Sequence, residues 1–120
     1  MKIAEAAAET GLSADTIRYY DRIGLMPELG RGGDGHRVFT AKDLRWLRMF
    51  ERLRATGMPL ANVRRYYALA QAGDKTISQR RAMLETHQLQ LDKRQAEIDA
   101  CRALIDEKLA NYRKLDPDKT

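Results

Sequence analysis

The chain has 120 residues, of which 43% are hydrophobic and 32% charged, and its formal net charge is +5. A single cysteine, Cys101, excludes an internal disulfide and a zinc cluster of several thiolates, and both histidines are remote from it in sequence. We therefore expect no metal site and no cofactor. No apolar run is long enough to cross a membrane and no signal peptide is indicated, which predicts a cytoplasmic protein.

The excess of positive charge lies in the front part of the chain. Residues 1–75 contain thirteen Lys and Arg against nine Asp and Glu, a net of +4, whereas residues 76–120 contain nine against eight, a net of +1. This distribution suits an anionic partner such as a nucleic acid, because neutralised phosphates release their counterions. A modest excess is also compatible with solubility alone, so charge by itself does not identify the partner.

The first 27 residues predict a helix-turn-helix. An Ala-rich helix over residues 2–10 is followed by a turn at Gly11. Ser13 is suited to cap a second helix that begins at about residue 14. Gly24 and Pro27 end this helix near residue 23. Two short helices joined by a glycine turn occur in many α proteins, so the pattern alone is weak evidence for DNA binding.

The second helix has two different faces. At helical spacing, Ile17 and Tyr20 fall on one face, which is predicted to pack against the core. The opposite face carries residues that suit contact with a partner, namely Asp15, Arg18, Tyr19 and Arg22. The second helix is therefore predicted to be a DNA-recognition helix.

A glycine-rich loop follows, with four glycines in residues 30–35, and residues 36–39 have strand character. This pattern predicts a small β-hairpin, or wing, in which Val38 and Phe39 face the core and Arg37 lies outside. Arg31, His36 and Arg37 are then candidates for phosphate contacts beside the groove that the recognition helix occupies. The alternative is a disordered surface loop.

Two further helices complete the front part. Thr40 to Asp43 resembles a capping box that opens a helix running to Thr56, and Gly57 closes it. Among its charged residues we expect Arg54 to touch a backbone phosphate. Pro59 marks the start of the next helix, which continues to Gly73. The apolar stripes of the two helices, including two tyrosines expected to lie in the core, are Leu44, Leu47, Phe50, Leu53, Leu60, Val63, Tyr66, Tyr67 and Leu69.

The segment after residue 75 is predicted to be one long helix. Residues 76–79 resemble a capping box, and no Gly or Pro follows until Pro117, so the helix can continue to about Arg113. Apolar residues recur every seven positions, as in a coiled-coil seam: Ile77, Leu84, Leu91, Ile98, Ile105 and Tyr112. The other seam position is mostly polar and holds Arg80, His87, Arg94, Cys101 and Lys108.

We favour a two-stranded antiparallel coiled coil between subunits. A parallel pair would stack Arg80, Arg94 and Lys108 each on its own copy, whereas an antiparallel pair places apolar residues opposite polar ones. Because the seam is only half apolar, a single helix that packs on its own domain is the alternative. Cys101 is expected to be a packed seam residue rather than a redox sensor.

Together these segments resemble the MerR family of transcription regulators. The matching motifs are Ile3-Ala4-Glu5, Thr10-Gly11-Leu12-Ser13, Thr16-Ile17-Arg18-Tyr19-Tyr20-Asp21, Gly24-Leu25, Arg37-Val38-Phe39-Thr40, and Leu53 through Gly57-Met58-Pro59-Leu60. The resemblance implies that a homodimer binds a pseudo-palindromic promoter with an overlong spacer and distorts that DNA for RNA polymerase. It further implies DNA contacts by Arg18, Tyr19 and Arg37, while His36 departs from the tyrosine usual there.

The expected protein is mostly α, with a winged helix-turn-helix domain over 1–73, a dimerisation helix over 76–113 and a short tail over 114–120. The candidate DNA-binding residues are Ser13, Thr16, Arg18, Tyr19, Arg31, His36, Arg37 and Arg54. The expected partners are double-stranded promoter DNA, a second copy of the chain and, through the promoter, RNA polymerase. An architectural DNA-binding protein without effector response is the alternative. An enzyme is disfavoured because no paired acid and base and no activated nucleophile are found.

Overall fold

A computed structural model describes residues 1–27, 29–30 and 37–116. Within these residues the chain is helical, and none of them forms a β-strand. The α-helices are α1 (Ile3–Thr10), α2 (Ala14–Arg22), α3 (Ala41–Ala55), α4 (Leu60–Gln71) and α5 (Ile77–Leu115), and a 3-10 helix (Asp74–Thr76) precedes α5. Of the helices in the described ranges, none is both long and apolar enough to span a membrane.

The helix ends follow from local capping chemistry. The Ser13 hydroxyl accepts a hydrogen bond from the Thr16 amide at 3.0 Å, and α2 begins at the next residue, Ala14. Thr40 and Asp43 form the predicted capping box at the start of α3, each side chain accepting from the backbone amide of the other. Gly24 and Gly57, which follow α2 and α3, have positive φ angles of 68° and 98°. The predicted bounds of α2 and α3 are confirmed.

The buried core of the front part lies between α2, α3, α4 and the two connecting segments. Its largest fully buried side chains are Ile17, Leu25, Met26, Leu29, Leu47, Phe50 and Val63. The Trp46 ring makes edge-on contacts with the rings of Phe50, Tyr66 and Tyr67, at centroid distances of 5.5, 5.8 and 5.1 Å. Each such pair contributes about 0.5–1.5 kcal/mol beyond area burial. The prediction that both tyrosines belong to the core is confirmed.

The segment before α3 differs from the predicted strand. Met1 and Phe39 exchange two backbone hydrogen bonds, of 2.9 and 2.6 Å, and the Val38 amide donates to the Gly30 carbonyl at 3.2 Å. Phe39 is buried and Val38 is exposed, so the expectation that both face the core is wrong. Neighbouring residues of an extended chain point to opposite sides, which places Arg37 on the same side as Phe39. Arg31 and His36 lie outside the described residues, and so does the tip of the expected hairpin.

The chain divides into two compact units, Met1–Arg81 and a second unit that begins at Ala82. The first unit thus includes the opening residues of α5, whereas the sequence placed the boundary at residues 73–76. α5 has 39 residues, which corresponds to a length of about 58 Å, and it ends two residues beyond the predicted Arg113. At its start the Thr76 hydroxyl donates to the Leu69 and Gly73 carbonyls and accepts from Arg80 Nε at 3.0 Å.

Candidate nucleic-acid interface

The start of α2 presents two hydroxyl groups that are bonded to each other. The Ser13 hydroxyl donates to Thr16 Oγ1 at 2.9 Å while it accepts from the Thr16 amide. Ser13 thereby uses its own proton, but the Thr16 hydroxyl keeps a proton that can be donated to an external acceptor. Both residues, predicted as DNA-binding, therefore lie at the amino end of the predicted recognition helix.

The outward face of α2 carries Arg18, Tyr19 and Arg22, as the sequence predicted. Arg18 forms an ion pair with Asp15 at 3.0 Å, and the two side chains are 59% and 94% exposed. Exposed pairs of this kind contribute only about 0–1 kcal/mol, so Arg18 can exchange Asp15 for a phosphate or a base edge at small cost. The exposed Tyr19 ring has the Arg22 guanidinium 5.7 Å from its centroid.

The inward face of α2 anchors the helix to the core. Ile17 and Tyr20 are both buried. Burial raises the pKa of the Tyr20 phenol above its ordinary value, the Glu51 carboxylate raises it further, and the Arg54 charge opposes this rise. The neutral phenol is therefore the form that the fold favours.

Arg37 is tied to the recognition helix. Its Nη2 atom lies 2.6 Å from Asp21 Oδ1 on α2, and Nη1 donates to the Leu29 carbonyl at 2.7 Å. The expectation that Arg37 lies outside the core side of the segment is wrong, because its side chain is only 30% exposed and points toward α2. Its contacts connect α2, the loop after it and the segment before α3. We refer to the set Arg37, Asp21 and Leu29 as the Arg37 clamp.

The remaining predicted site residues are placed as follows. Arg54 is exposed, and its Nη1 atom donates to the Met58 carbonyl at 2.9 Å, so part of its donor capacity is used in the turn after α3. Arg31 and His36 lie outside the described residues. Among the residues that the structure describes, no group of His, Cys, Asp and Glu side chains could hold a metal ion.

A groove with a volume of about 370 Å³ brings two predicted residues together with two that sequence reasoning missed. Its described lining consists of Lys2, Ile3, Arg18 and Arg37. Arg18 and Arg37 are 19 positions apart in the sequence, and the fold places them on one groove. Lys2 precedes α1 in a segment with few polar residues, and its basic side chain was the only sequence signal that could have suggested it. The groove is thus lined by three cationic side chains from three segments.

Comparison with known proteins identifies related sequences and structures. Residues 1–69 match the family model described as "MerR HTH family regulatory protein", and residues 44–108 match the model described as "MerR, DNA binding". An uncharacterized HTH-type transcriptional regulator of Haemophilus influenzae is 40% identical over 111 residues, which cover 92% of this chain and 82% of that protein. The HTH-type transcriptional regulator HmrR of Rhizobium leguminosarum bv. viciae is 35% identical over 107 residues, covering 88% and 81% of the two chains.

A solved structure also matches over nearly the whole length. It is the crystal structure of HiNmlR, described as a MerR family regulator lacking the sensor domain, bound to promoter DNA. The TM-score is 0.85 at 37% sequence identity, and the match covers 99% of this chain and 94% of HiNmlR.

Proposed function

Because this chain belongs to the MerR family of DNA-binding transcriptional regulators, we propose that it binds a pseudo-palindromic promoter as a homodimer and controls transcription by distorting that DNA. The observation that supports DNA binding through α2 is its exposed polar face, which carries Arg18 and Tyr19 and has the cationic groove beside it. The distorted promoter would act on RNA polymerase, which is the indirect partner in this proposal.

In the proposed complex α2 enters the major groove, whose width admits an α-helix. Arg18 reads a base edge or binds a phosphate, and Tyr19 contacts the DNA beside it. Thr16 donates its free hydroxyl proton to a phosphate oxygen at the amino end of α2, where the helix dipole favours negative charge. Arg31, His36 and Arg37, in and beside a hairpin wing, contact the flanking backbone, and so does Arg54.

The proposed dimer rests on the seam positions of α5. In the isolated chain Leu91, Ile98, Ile105 and Tyr112 are 36%, 52%, 50% and 60% exposed. Burial of the exposed half of such a side chain contributes roughly 1 kcal/mol, so a partner helix along this seam gains several kcal/mol from these positions alone. These four residues recur at seven-residue spacing, as a coiled-coil seam requires.

An antiparallel pair matches the mixed composition of this seam. With Leu91 opposite Cys101, Ile98 lies opposite Arg94 and Leu84 opposite Lys108. The basic side chains can then lay their aliphatic stems on Leu and Ile while their charges stay in water. The dimer domain would comprise 76–113, with 1–73 as the DNA-binding domain.

The test of the regulator function is selection of bound duplexes from random DNA. An inverted repeat is expected, because two copies related by a two-fold axis read two equivalent half-sites. A featureless pool of bound sequences would refute the proposal and favour an architectural protein. On the selected duplex, Arg18→Ala is expected to cost roughly 1–3 kcal/mol. Arg45→Ala, which removes an exposed arginine of α3 outside the groove, is the matched control.

The test of the dimer compares two charged substitutions on α5 by sedimentation equilibrium. Ile98→Asp places a carboxylate in the proposed seam and is expected to produce monomers. Ala103→Asp adds the same charge on the opposite side of α5 and is expected to leave the dimer intact. Equal behaviour of the two variants would favour a single helix without a partner.

A further inference from the structure

The cationic groove has one positive charge more than its carboxylate partners balance. Of the three cations that line it, Arg18 is paired with Asp15 and Arg37 with Asp21. Lys2 is exposed, and within the described part of the chain no carboxylate lies at ion-pair distance from its ammonium group. The groove and its ion-pair partners therefore have a net charge of +1, which one phosphodiester group would neutralise.

The backbone of Lys2 is held on both sides. The preceding residue, Met1, is fixed to Phe39 by two hydrogen bonds, of 2.9 and 2.6 Å. The Lys2 carbonyl accepts the first hydrogen bond of α1, from the Ala6 amide at 3.0 Å. Only the side chain must be ordered when the ammonium group binds an anion, so the entropic cost of binding is limited to its rotamers.

We propose that Lys2 binds a backbone phosphate of the DNA on which α2 is docked, and that it is a further DNA-binding residue beside Arg18. This inference rests on the proposed function. Lysine is a compact point charge with rotatable donors, and it lacks the planar fork that reads a guanine edge. Its contact is therefore to the sugar-phosphate backbone and is independent of sequence. The Arg37 guanidinium, already bonded to Asp21 and Leu29, forms the wall of the groove beside the Lys2 side chain.

The experiment measures fluorescence anisotropy with the duplex selected by the wild-type protein and with a random duplex, over a range of salt concentrations. Lys2→Ala is expected to weaken binding to both duplexes by about tenfold, the size of one charge-assisted hydrogen bond. The slope of log K against log salt should fall by about 1. Lys2→Arg, which keeps the charge, should retain the wild-type slope. Lys75→Ala removes an exposed lysine from the 3-10 helix of the same unit and should change the affinity little.

A second measurement locates the phosphate. Duplexes are prepared in which one phosphodiester at a time is replaced by an uncharged methylphosphonate. One position in each half-site is expected to weaken binding of the wild type but not of Lys2→Ala, because the charge that the linkage supplies has no partner in the variant. If no linkage behaves in this way and the salt slope of Lys2→Ala equals that of the wild type, the assignment of Lys2 is refuted.

The outcomes also separate this inference from the function on which it rests. A wild-type protein that binds no duplex would refute the proposed function and this inference together. A wild type that binds its selected duplex, with Lys2→Ala unchanged or weakened only as much as Lys75→Ala, would refute the role of Lys2 alone. Circular dichroism of Lys2→Ala should match the wild type, since the Lys2 side chain makes no packing contact that the fold requires.

Discussion

The Arg37 clamp is expected to stabilise the first unit, independently of any contact with DNA. Arg37→Ala removes the ion pair with Asp21 and the hydrogen bond to the Leu29 carbonyl, at 2.6 and 2.7 Å. It leaves the Asp21 carboxylate, which is 31% exposed, without this guanidinium. The variant should therefore have a lower free energy of unfolding than the wild type before any DNA is added.

The exposure of the pair determines the expected magnitude. Exposed ion pairs couple by about 0–1 kcal/mol, whereas removing one partner of a fully buried pair costs about 3–5 kcal/mol. The clamp lies between these limits, with both side chains about one-third exposed. After a discount for solvent screening we expect a coupling energy of about 1–2 kcal/mol between Arg37 and Asp21. Arg37→Ala should cost more than this, because the bond to the Leu29 carbonyl is lost as well.

The assay is a double-mutant cycle measured by urea unfolding at one fixed protein concentration, with Arg37→Ala, Asp21→Asn and the double variant. The matched control is the same cycle on Arg18 and Asp15, an Arg–Asp pair that shares α2 but is 59% and 94% exposed. The control pair should couple by less than about 0.5 kcal/mol. If the two cycles gave equal coupling energies, the role assigned to the clamp would be refuted.

Three further predictions follow from single positions. Gly30→Ala should destabilise the fold more than Gly24→Ala, measured by urea unfolding: both have positive φ, 70° and 68°, but only at Gly30 would a Cβ meet the Phe39 ring, at 3.1 Å, and equal losses would contradict this steric reason. Cys101 should not cross-link the dimer under mild oxidation on a non-reducing gel, because the proposed register separates the two copies by about 15 Å, ten residues at 1.5 Å each, whereas a disulfide needs Cα atoms within about 7 Å; rapid cross-linking would require a different register. Above pH 10 the wild type should lose stability more steeply than Tyr20→Phe, because burial raises the pKa of the phenol and its ionisation opposes folding, and parallel pH profiles would contradict this.

The helix ends of the first unit could be predicted from the sequence because capping is local. Ser13 and Thr40 bond to amides three residues ahead, at 3.0 and 3.1 Å, and no distant part of the chain is needed to form these contacts. Gly24 and Gly57 adopt positive φ angles that other residues rarely reach. The start of α5 was less predictable, because Thr76 bonds to the Leu69 carbonyl seven positions earlier, on the preceding helix.

The segment before α3 could not be predicted in the same way. Its strand-like pattern is real, since Phe39 is buried and its neighbour Val38 exposed. The partner that pairs with Phe39, however, is Met1, which is 38 positions away. An alternating pattern specifies which side each residue faces, but the pairing partner depends on where α1 and α3 bring the chain ends together. For the same reason the sequence did not reveal that Arg37 turns inward.

Arg37 and Lys2 illustrate how the partner, rather than the residue type, decides what a cation can do. The sequence favoured Arg37 as a phosphate contact because it is basic and adjoins a glycine-rich loop, yet its guanidinium is already bonded to Asp21 and Leu29. Lys2 carried no motif, yet it lines the same groove and has no such carboxylate in the described chain. A phosphate that binds Arg37 must compete with Asp21, whereas one that binds Lys2 displaces only water. On a groove that Arg18 also lines, the weaker sequence signal therefore belongs to the cation that is more available to DNA.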